Sequence, residues 1–178
     1  PHLVGLSLGA SLILKLLEKH SSLIDRVIVD GASPQPIKGY RKIIAIVYLM
    51  SFLKNTKFVA NLLTKMMQED GAPAQDVQRF VADFQRAERL SFRRAMSQAN
   101  LLRLDLQFDN PAFFISGGKE AETIHDWHRR LAQKNARSEC AYYPGKGHAW
   151  LFSDVDTHIQ LLRYFFQDVA FPEKLKRF

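Results

Sequence analysis

Apolar residues recur along the chain with two different periods, and the changes of period mark the secondary structure. Short runs rich in apolar and β-branched residues, too brief for helices, predict strands buried in a sheet. These runs lie at His2–Leu6, Arg26–Asp30, Ala112–Ser116 and Ser138–Tyr143. Helical periodicity occupies 8–19, 122–134 and 155–168. Strands that alternate with helices predict an α/β fold built on a parallel sheet.

A long segment between the second and third predicted strands carries helical periodicity and no strand pattern. The periodicity breaks at Asn55–Thr56 and at Gly71–Pro73. We expect a helical insertion of about four segments. The expected organisation is a core segment at 1–37, a helical insertion at 38–104 and a second core segment at 105–178.

The insertion holds the most apolar stretch of the chain, Ile43–Leu53. We expect this stretch to be too apolar for an exposed helix. Together with other large apolar residues it predicts an acyl or alkyl pocket, although the same residues could simply hold the insertion together. These residues are Phe58, Met66, Met67, Phe80, Phe84, Phe92 and Met96. Basic residues flank the stretch and permit an alternative, peripheral docking on an anionic membrane surface; they are Lys38, Arg41, Lys42, Lys54 and Lys57.

Composition narrows the class of protein. The 178 residues fit one domain, and no apolar run approaches the roughly 18 residues that span a bilayer. The single cysteine, Cys140, cannot form an internal disulfide, which favours a reducing, cytoplasmic compartment. The net charge of +7 is spread along the chain without a nucleic-acid-binding motif, so we expect no nucleic-acid partner. No metal-ligand spacing or phosphate-binding glycine loop is found, and no cofactor is expected.

The first strand runs directly into Gly5-Leu6-Ser7-Leu8-Gly9, a G-x-S-x-G sequence followed by a helix. In this setting a serine occupies a sharp, strained turn, and we expect side chains in place of Gly5 or Gly9 to collide with neighbouring elements. The turn presents the Ser7 hydroxyl at the edge of the sheet. The N–H of Leu8 opens the helix and could donate to an oxyanion. Ser7 is therefore the candidate nucleophile.

A serine nucleophile needs a neighbouring base, and His148 is the candidate. It lies in a glycine-rich loop, Pro144–Trp150, between the last predicted strand and the last helix. The other histidines fall in predicted strands or helices, where surface or core roles are expected; they are His2, His20, His125, His128 and His158.

The base in turn needs a carboxylate that fixes its tautomer. Glu120 follows the third predicted strand and Asp30 ends the second, and either keeps the order serine, acid, histidine along the chain. Glu122 and Asp126 remain further candidates. Asp30 could alternatively cap a turn beside Gly31.

The serine turn, the acid after a strand and the Gly-Lys-Gly-His loop together resemble the α/β-hydrolase superfamily from end to end of the chain. The resemblance implies that the four strands correspond to the fifth to eighth of that fold, that the insertion is a cap over the pocket, and that Glu120 is the acid. It also implies that the first four strands and the second oxyanion donor would lie upstream of Pro1, so that 178 residues alone could be inactive. The first strand would then have an unpaired edge, and association through that edge is expected.

Two classes of function follow. The first is a serine hydrolase that cleaves a small lipophilic ester or thioester, with Ser7, Glu120 and His148 as the triad and Leu8 in the oxyanion hole. The second is a ligand-binding or signalling protein that uses the same fold with slow or absent turnover. A third interpretation treats the pentapeptide as an accidental turn.

Overall fold

A computed structural model describes all residues, 1–178, and contains one five-stranded sheet. The strands are β1 (Leu3–Leu6), β2 (Val27–Asp30), β3 (Ala112–Gly117), β4 (Glu139–Tyr143) and β5 (Lys176–Arg177), in that order across the sheet. The first four are parallel, and β5 pairs with β4 in the antiparallel sense. The predicted parallel sheet is therefore confirmed, with a short antiparallel strand added at its edge.

The register brings the strand ends to one rim. Leu6 pairs with Asp30, and Asp30 with Ile115, so β1, β2 and β3 reach the same level of the sheet. Because parallel strands all end on the same side, the segments that follow them lie next to one another. This rim therefore gathers Ser7, Gly31 and the loop after β3.

The chain contains eight α-helices. They are α1 (Leu8–His20), α2 (Tyr40–Leu53), α3 (Lys57–Glu69), α4 (Ala74–Arg86), α5 (Arg89–Asn100), α6 (Glu122–Gln133), α7 (Trp150–Ser153) and α8 (Val155–Gln167). Four of them, α2 to α5, form the helical insertion between β2 and β3. None of the eight is both long and apolar enough to cross a bilayer.

Each face of the sheet carries its own core. On one face, Val29 and Phe114 pack with the inner side of α1 and with Leu131 of α6. On the other, Ile28 and Phe113 pack with Trp150 and with α8. The alternation of strand residues between two apolar clusters explains why β2 and β3 are continuous apolar runs in the sequence.

Helix α2 departs from the prediction that so apolar a segment would be covered. Only Val47 and Ser51 are buried, whereas Leu49 and Phe52 are more than half exposed. The helix packs on α5 along one side, and its outer aromatic surface is only partly covered by guanidinium groups, such as that of Arg89 over Phe52.

One of the basic residues that would flank a membrane-docking surface is not available for it. Lys54 is buried and donates hydrogen bonds to the carbonyl oxygens of Gln85 and Ala87. Its ammonium group therefore ties the end of α2 to the end of α4, which corrects the prediction that Lys54 lies on the surface of the insertion.

Candidate active site

The turn between β1 and α1 holds Ser7 in the conformation that the sequence predicts. Ser7 has φ +55° and ψ −112°, a strained backbone conformation for a residue with a side chain. Its N–H donates to Asp30 O at 2.8 Å, and the N–H of Ser11 donates to Ser7 O at 2.9 Å. Hydrogen bonds from the neighbouring strand and the helix thus hold the strained residue in place.

The two glycines of the turn are not equivalent. A Cβ atom on Gly5 would lie 2.5 Å from Gly9 C and 2.7 Å from Ala10 N, so only glycine fits there. A Cβ on Gly9 would meet no heavy atom within 4 Å. The expectation of a collision at Gly9 is therefore wrong, because that position faces open space on the first turn of α1.

The N–H of Leu8 is the first of α1. The first N–H groups of an α-helix have no carbonyl partner within the helix and lie at its positive end. Leu8 and Ser7 line the same cavity.

The structure pairs His148 with Glu120. Glu120 Oε2 lies 2.9 Å from His148 Nδ1, and Oε1 accepts a hydrogen bond from Gly117 N at 3.1 Å. The Glu120 side chain is only 5% exposed, whereas that of His148 is 47% exposed. The buried carboxylate therefore holds one ring nitrogen and leaves the other side of the imidazole accessible.

Two backbone hydrogen bonds join the loop that carries Glu120 to the loop that carries His148. Gly118 N donates to Tyr143 O, and Lys119 N donates to Lys146 O, each at 2.8 Å. A Cβ on Gly117 would overlap the carbonyl of Gly147. The close contact requires glycine at this point and fixes the spacing of the pair.

The opposite charges of His148 and Glu120 shift the pKa of each group so that its charged form is favoured. Burial by itself lowers the pKa of His148, but the hydrogen bond and charge of Glu120, with Asp30 and Asp70 behind it, outweigh burial and raise the pKa above its ordinary value. Burial by itself raises the pKa of Glu120, and the hydrogen bond and charge of His148 outweigh it, so this pKa is lowered. The pair thus favours the imidazolium–carboxylate state.

Asp30, the alternative acid, is placed differently. It is fully buried, its Oδ1 accepts from Trp150 Nε1 at 3.3 Å, and its Oδ2 has no hydrogen-bond partner. Burial, with the charge of Glu120, raises the pKa of Asp30 well above its ordinary value. Asp30 makes no hydrogen bond to His148, so the geometry favours Glu120 as the partner of the imidazole.

The other candidate acids and histidines lie away from the pair. Glu122 and Asp126 both bind Arg129 on the exposed side of α6. His128 is buried and bonds Ala32 O at 3.0 Å, and burial lowers its pKa to about 4. His125 bonds Gly117 O at 3.1 Å, and the remaining histidines do not line the cavities described below; they are His2, His20 and His158.

Two cavities meet at Ser7 and His148. The first has a volume of about 640 Å³ and the second about 490 Å³, and the wall of each is mainly apolar. Both are lined by Ser7, His148, Met66 and Met96. The first adds Leu63, Met67, Phe80 and Phe152, and the second adds Ser33, Gln35, Ile43 and Asn100.

The predicted pocket residues therefore divide into two groups. Met66, Met67, Phe80 and Met96 line the first cavity. Phe84 and Phe92 instead pack edge to face inside the insertion, at 4.9 Å between ring centroids, and Phe58 is exposed. Apolar character alone could not show which of these residues line the cavity and which pack inside the insertion.

Ser7 Oγ makes no hydrogen bond to the imidazole in this structure. Both groups border the same two cavities, and in structures without substrate such a catalytic hydrogen bond is often long and forms only in the substrate complex. No group of three or more His, Cys, Asp or Glu side chains is arranged to hold a metal ion.

Sequence reasoning missed two residues that touch the pair. Gly31 lies against the imidazole, and Asp70 of the insertion lies against the loop of His148. The glycine after the β2 strand was a visible signal for a close approach, whereas nothing in the local sequence marks Asp70.

Comparisons with known proteins agree with this architecture. The profile of the alpha/beta hydrolase family matches residues 1–157, and the chain belongs to that family. A search of curated protein sequences finds no significant match.

Solved structures give the same fold. The chain is similar to MGS-M2, an alpha/beta hydrolase enzyme from a Medee basin deep-sea metagenome library, with TM-score 0.70 and 19% identity over 95% of this chain and 66% of that one. It is similar to MenH from S. aureus, with TM-score 0.73 and 13% identity over 94% and 68% of the two chains. It is also similar to a thermophilic esterase from Thermogutta terrifontis, with TM-score 0.68 and 14% identity over 94% and 64%. The chain thus spans about two thirds of the length of these structures, and the likeness concerns the fold.

Proposed function

We propose that the protein is a serine hydrolase that cleaves a small lipophilic ester or thioester through an acyl-enzyme. The observation that carries the proposal is the His148–Glu120 pair at 2.9 Å, in the wall of the second cavity, which is also lined by the strained Ser7. Because the chain spans about two thirds of its structural relatives, the activity is proposed for the full-length protein.

In the proposed first step, Ser7 Oγ attacks the carbonyl carbon of the substrate while His148 Nε2 takes the hydroxyl proton. Glu120 holds Nδ1–H and stabilises the imidazolium that forms. The Leu8 N–H donates to the oxyanion, where the positive end of α1 adds to the stabilisation. Collapse of the tetrahedral intermediate breaks the bond to the leaving oxygen or sulfur, which takes the proton from His148.

In the second step, water attacks the acyl carbonyl and gives a proton to His148. The second tetrahedral intermediate then releases Ser7 Oγ, which regains its proton from the imidazolium, and the carboxylic acid leaves. Each step returns His148 to the neutral form, so the residues alone balance the protons over one turnover.

The mainly apolar walls of the two cavities support a lipophilic substrate. The apolar wall of the first cavity includes three methionines, whose flexible side chains adapt to a chain of variable shape, and its volume of about 640 Å³ suits a small lipophilic group. The second cavity also contains Ser33, Gln35 and Asn100, whose side chains already donate hydrogen bonds to the backbone carbonyl oxygens of Gln35, Leu104 and Met96. The reacting carbonyl would lie where the cavities meet, at Ser7.

Pre-steady-state hydrolysis of p-nitrophenyl esters tests the proposal. A burst of nitrophenol equal to the enzyme concentration, followed by slower turnover, is expected from an acyl-enzyme mechanism, and Ser7→Ala should remove both phases. Turnover by Ser7→Ala at the unaltered rate would refute a serine mechanism.

A ligand-binding function remains the second candidate, because Ser7 Oγ and His148 are not hydrogen-bonded and the cavities could hold a ligand without turnover. Absence of turnover by the folded full-length protein on any of the esters, with saturable binding of the same esters, would favour this function.

A further inference from the structure

The helical insertion touches the loop of His148 at the turn between α3 and α4. Asp70 directly follows α3 as its C-cap residue, and its N–H donates to Met66 O at 3.4 Å. Gly71 follows with φ +85°, and Ala72 is buried against Met67. The backbone of Asp70 is therefore held by helix-terminal hydrogen bonds and by an apolar anchor on its far side.

The Asp70 carboxylate contacts the residues on both sides of His148. Oδ2 accepts a hydrogen bond from Ala149 N at 3.2 Å. A Cβ atom on Gly147 would overlap Oδ1 and would lie 2.7 Å from Oδ2, so the carboxylate lies directly on the glycine backbone. The contact spans 79 residues of sequence and brackets the histidine.

The contact also has an electrostatic consequence. Asp70 lines the first cavity together with His148, and its negative charge is one of the influences that raise the pKa of His148, behind those of Glu120 and Asp30. Burial favours the neutral form of Asp30, and that carboxyl contributes only while ionised. The charged groups that act on His148 or line the first cavity with it are Asp30, Glu69, Asp70, Lys119 and Glu120, whereas Lys146 of the same loop donates to Ser153 Oγ at 3.1 Å.

We propose that Asp70 is a positioning residue of the hydrolytic reaction, which from the helical insertion fixes the backbone on both sides of His148. The proposal rests on the proposed function for its effect on turnover. It has a second consequence, on the titration of the imidazole, that does not depend on turnover. The position of the insertion against the loop of His148 would thereby affect the orientation of the His148 imidazole.

The experiment compares wild type, Asp70→Asn, Asp70→Ala and Asp83→Asn in the full-length protein. Asn keeps an oxygen for Ala149 N–H but removes the charge, and Ala removes both. Asp83→Asn is the matched control, because Asp83 is an exposed carboxylate of the same insertion that is paired with Arg86 at 3.6 Å and does not line the cavities.

The first readout is the NMR titration of the His148 ring, assigned with His148→Gln. We expect the pKa of His148 to fall in Asp70→Asn and to stay at the wild-type value in Asp83→Asn. Equal titration of all three proteins would overturn the proposal, whether or not the protein is a hydrolase. Thermal unfolding of each variant shows that the comparison is made on folded protein, and Asp70→Asn serves if Asp70→Ala does not fold.

The second readout is steady-state kinetics on a p-nitrophenyl ester. We expect kcat to fall about 10- to 100-fold in Asp70→Ala with a smaller change in KM, because misplacement of a catalytic group costs rate at the chemical step. Asp70→Asn should lose less, and the midpoint of its kcat/KM profile should move to lower pH. Wild-type kcat and midpoint in both variants, with Ser7→Ala inactive, would overturn the role of Asp70 and leave the serine mechanism intact.

Discussion

Gly31 lies directly against the imidazole of His148. A Cβ atom built on Gly31 would lie 2.7 Å from His148 Cε1, 2.8 Å from its Nδ1 and 3.1 Å from Glu120 Oε1. The backbone of Gly31 has φ +65°, a conformation that favours glycine. The residue after β2 is therefore in direct contact with the His148–Glu120 pair.

A side chain at position 31 should displace the His148–Glu120 pair. We expect Gly31→Ala to lower kcat/KM about 100-fold, since the added methyl group pushes the imidazole away from its working position. Gly39→Ala is the matched control, because Gly39 has φ +82° but no atom within 4 Å of its Cβ position, so it carries the strain without the clash. Equal activities of the two variants would show that the contact with His148 does not matter.

The two candidate acids should differ sharply in their effect on rate. We expect Glu120→Gln to lower kcat by about 10⁴, as loss of the charge and the tautomer control of the base does in a serine triad. Asp30→Asn should leave kcat within about threefold, because burial already favours the neutral form of Asp30 and Asn keeps an acceptor for Trp150. Steady-state kinetics on one ester measures both, and the opposite ranking would transfer the role of the acid to Asp30.

The acid limb of the pH profile should report His148. In the proposed mechanism His148 must be neutral to accept the serine proton, so kcat/KM should rise with pH through a pKa that Glu120 holds above the ordinary 6.5. In Glu120→Gln the midpoint should move to lower pH, because the hydrogen bond and charge that favour the imidazolium are lost. A midpoint that does not move between the two proteins would contradict the pairing.

His128 should make the fold sensitive to acid. Its pKa is about 4 in the folded chain, where burial opposes the charged form, and about 6.5 in the unfolded chain, so the unfolded state takes up the proton first. The free energy of unfolding should therefore fall as pH drops from 6.5 towards 4, by about 3 kcal/mol from this group. Urea titrations at several pH values measure it.

His128→Gln keeps a donor for Ala32 O and cannot titrate, so its stability should fall much less over that range. His20→Gln, at an exposed position at the end of α1, is the control and should follow the wild-type curve. A wild-type pH dependence in His128→Gln would show that other groups govern the acid response.

The strands and the serine turn of the core could be predicted from the sequence, because short continuous segments determine them. The buried strands are continuous apolar runs, and Gly5-Leu6-Ser7-Leu8-Gly9 lies between a strand and a helix. Strand β5 escaped prediction because two charged residues, Lys176 and Arg177, carry no apolar pattern, and α7 is only four residues long. The break between α4 and α5 has neither Gly nor Pro, and the Glu88 carboxylate caps the start of α5 instead.

The candidate site could be predicted only in part, because some of its contacts depend on how distant segments pack. Sequence order could not decide whether Glu120 or Asp30 is the partner of His148, since both lie at the ends of parallel strands that meet at one rim. The choice between them depends on the direction of each carboxylate, which only the packed structure shows. The contact of Asp70 with Ala149 is set by how the insertion docks, and no local pattern encodes that.

Covalent labelling of the full-length protein with a fluorophosphonate, followed by peptide mass spectrometry, tests the central claim most directly. We predict a single adduct on Ser7 that is absent in Ser7→Ala, with labelling at least about 100-fold slower in His148→Gln, because the hydroxyl then lacks its base. Labelling at another residue, or labelling of Ser7 at the wild-type rate in His148→Gln, would contradict the account.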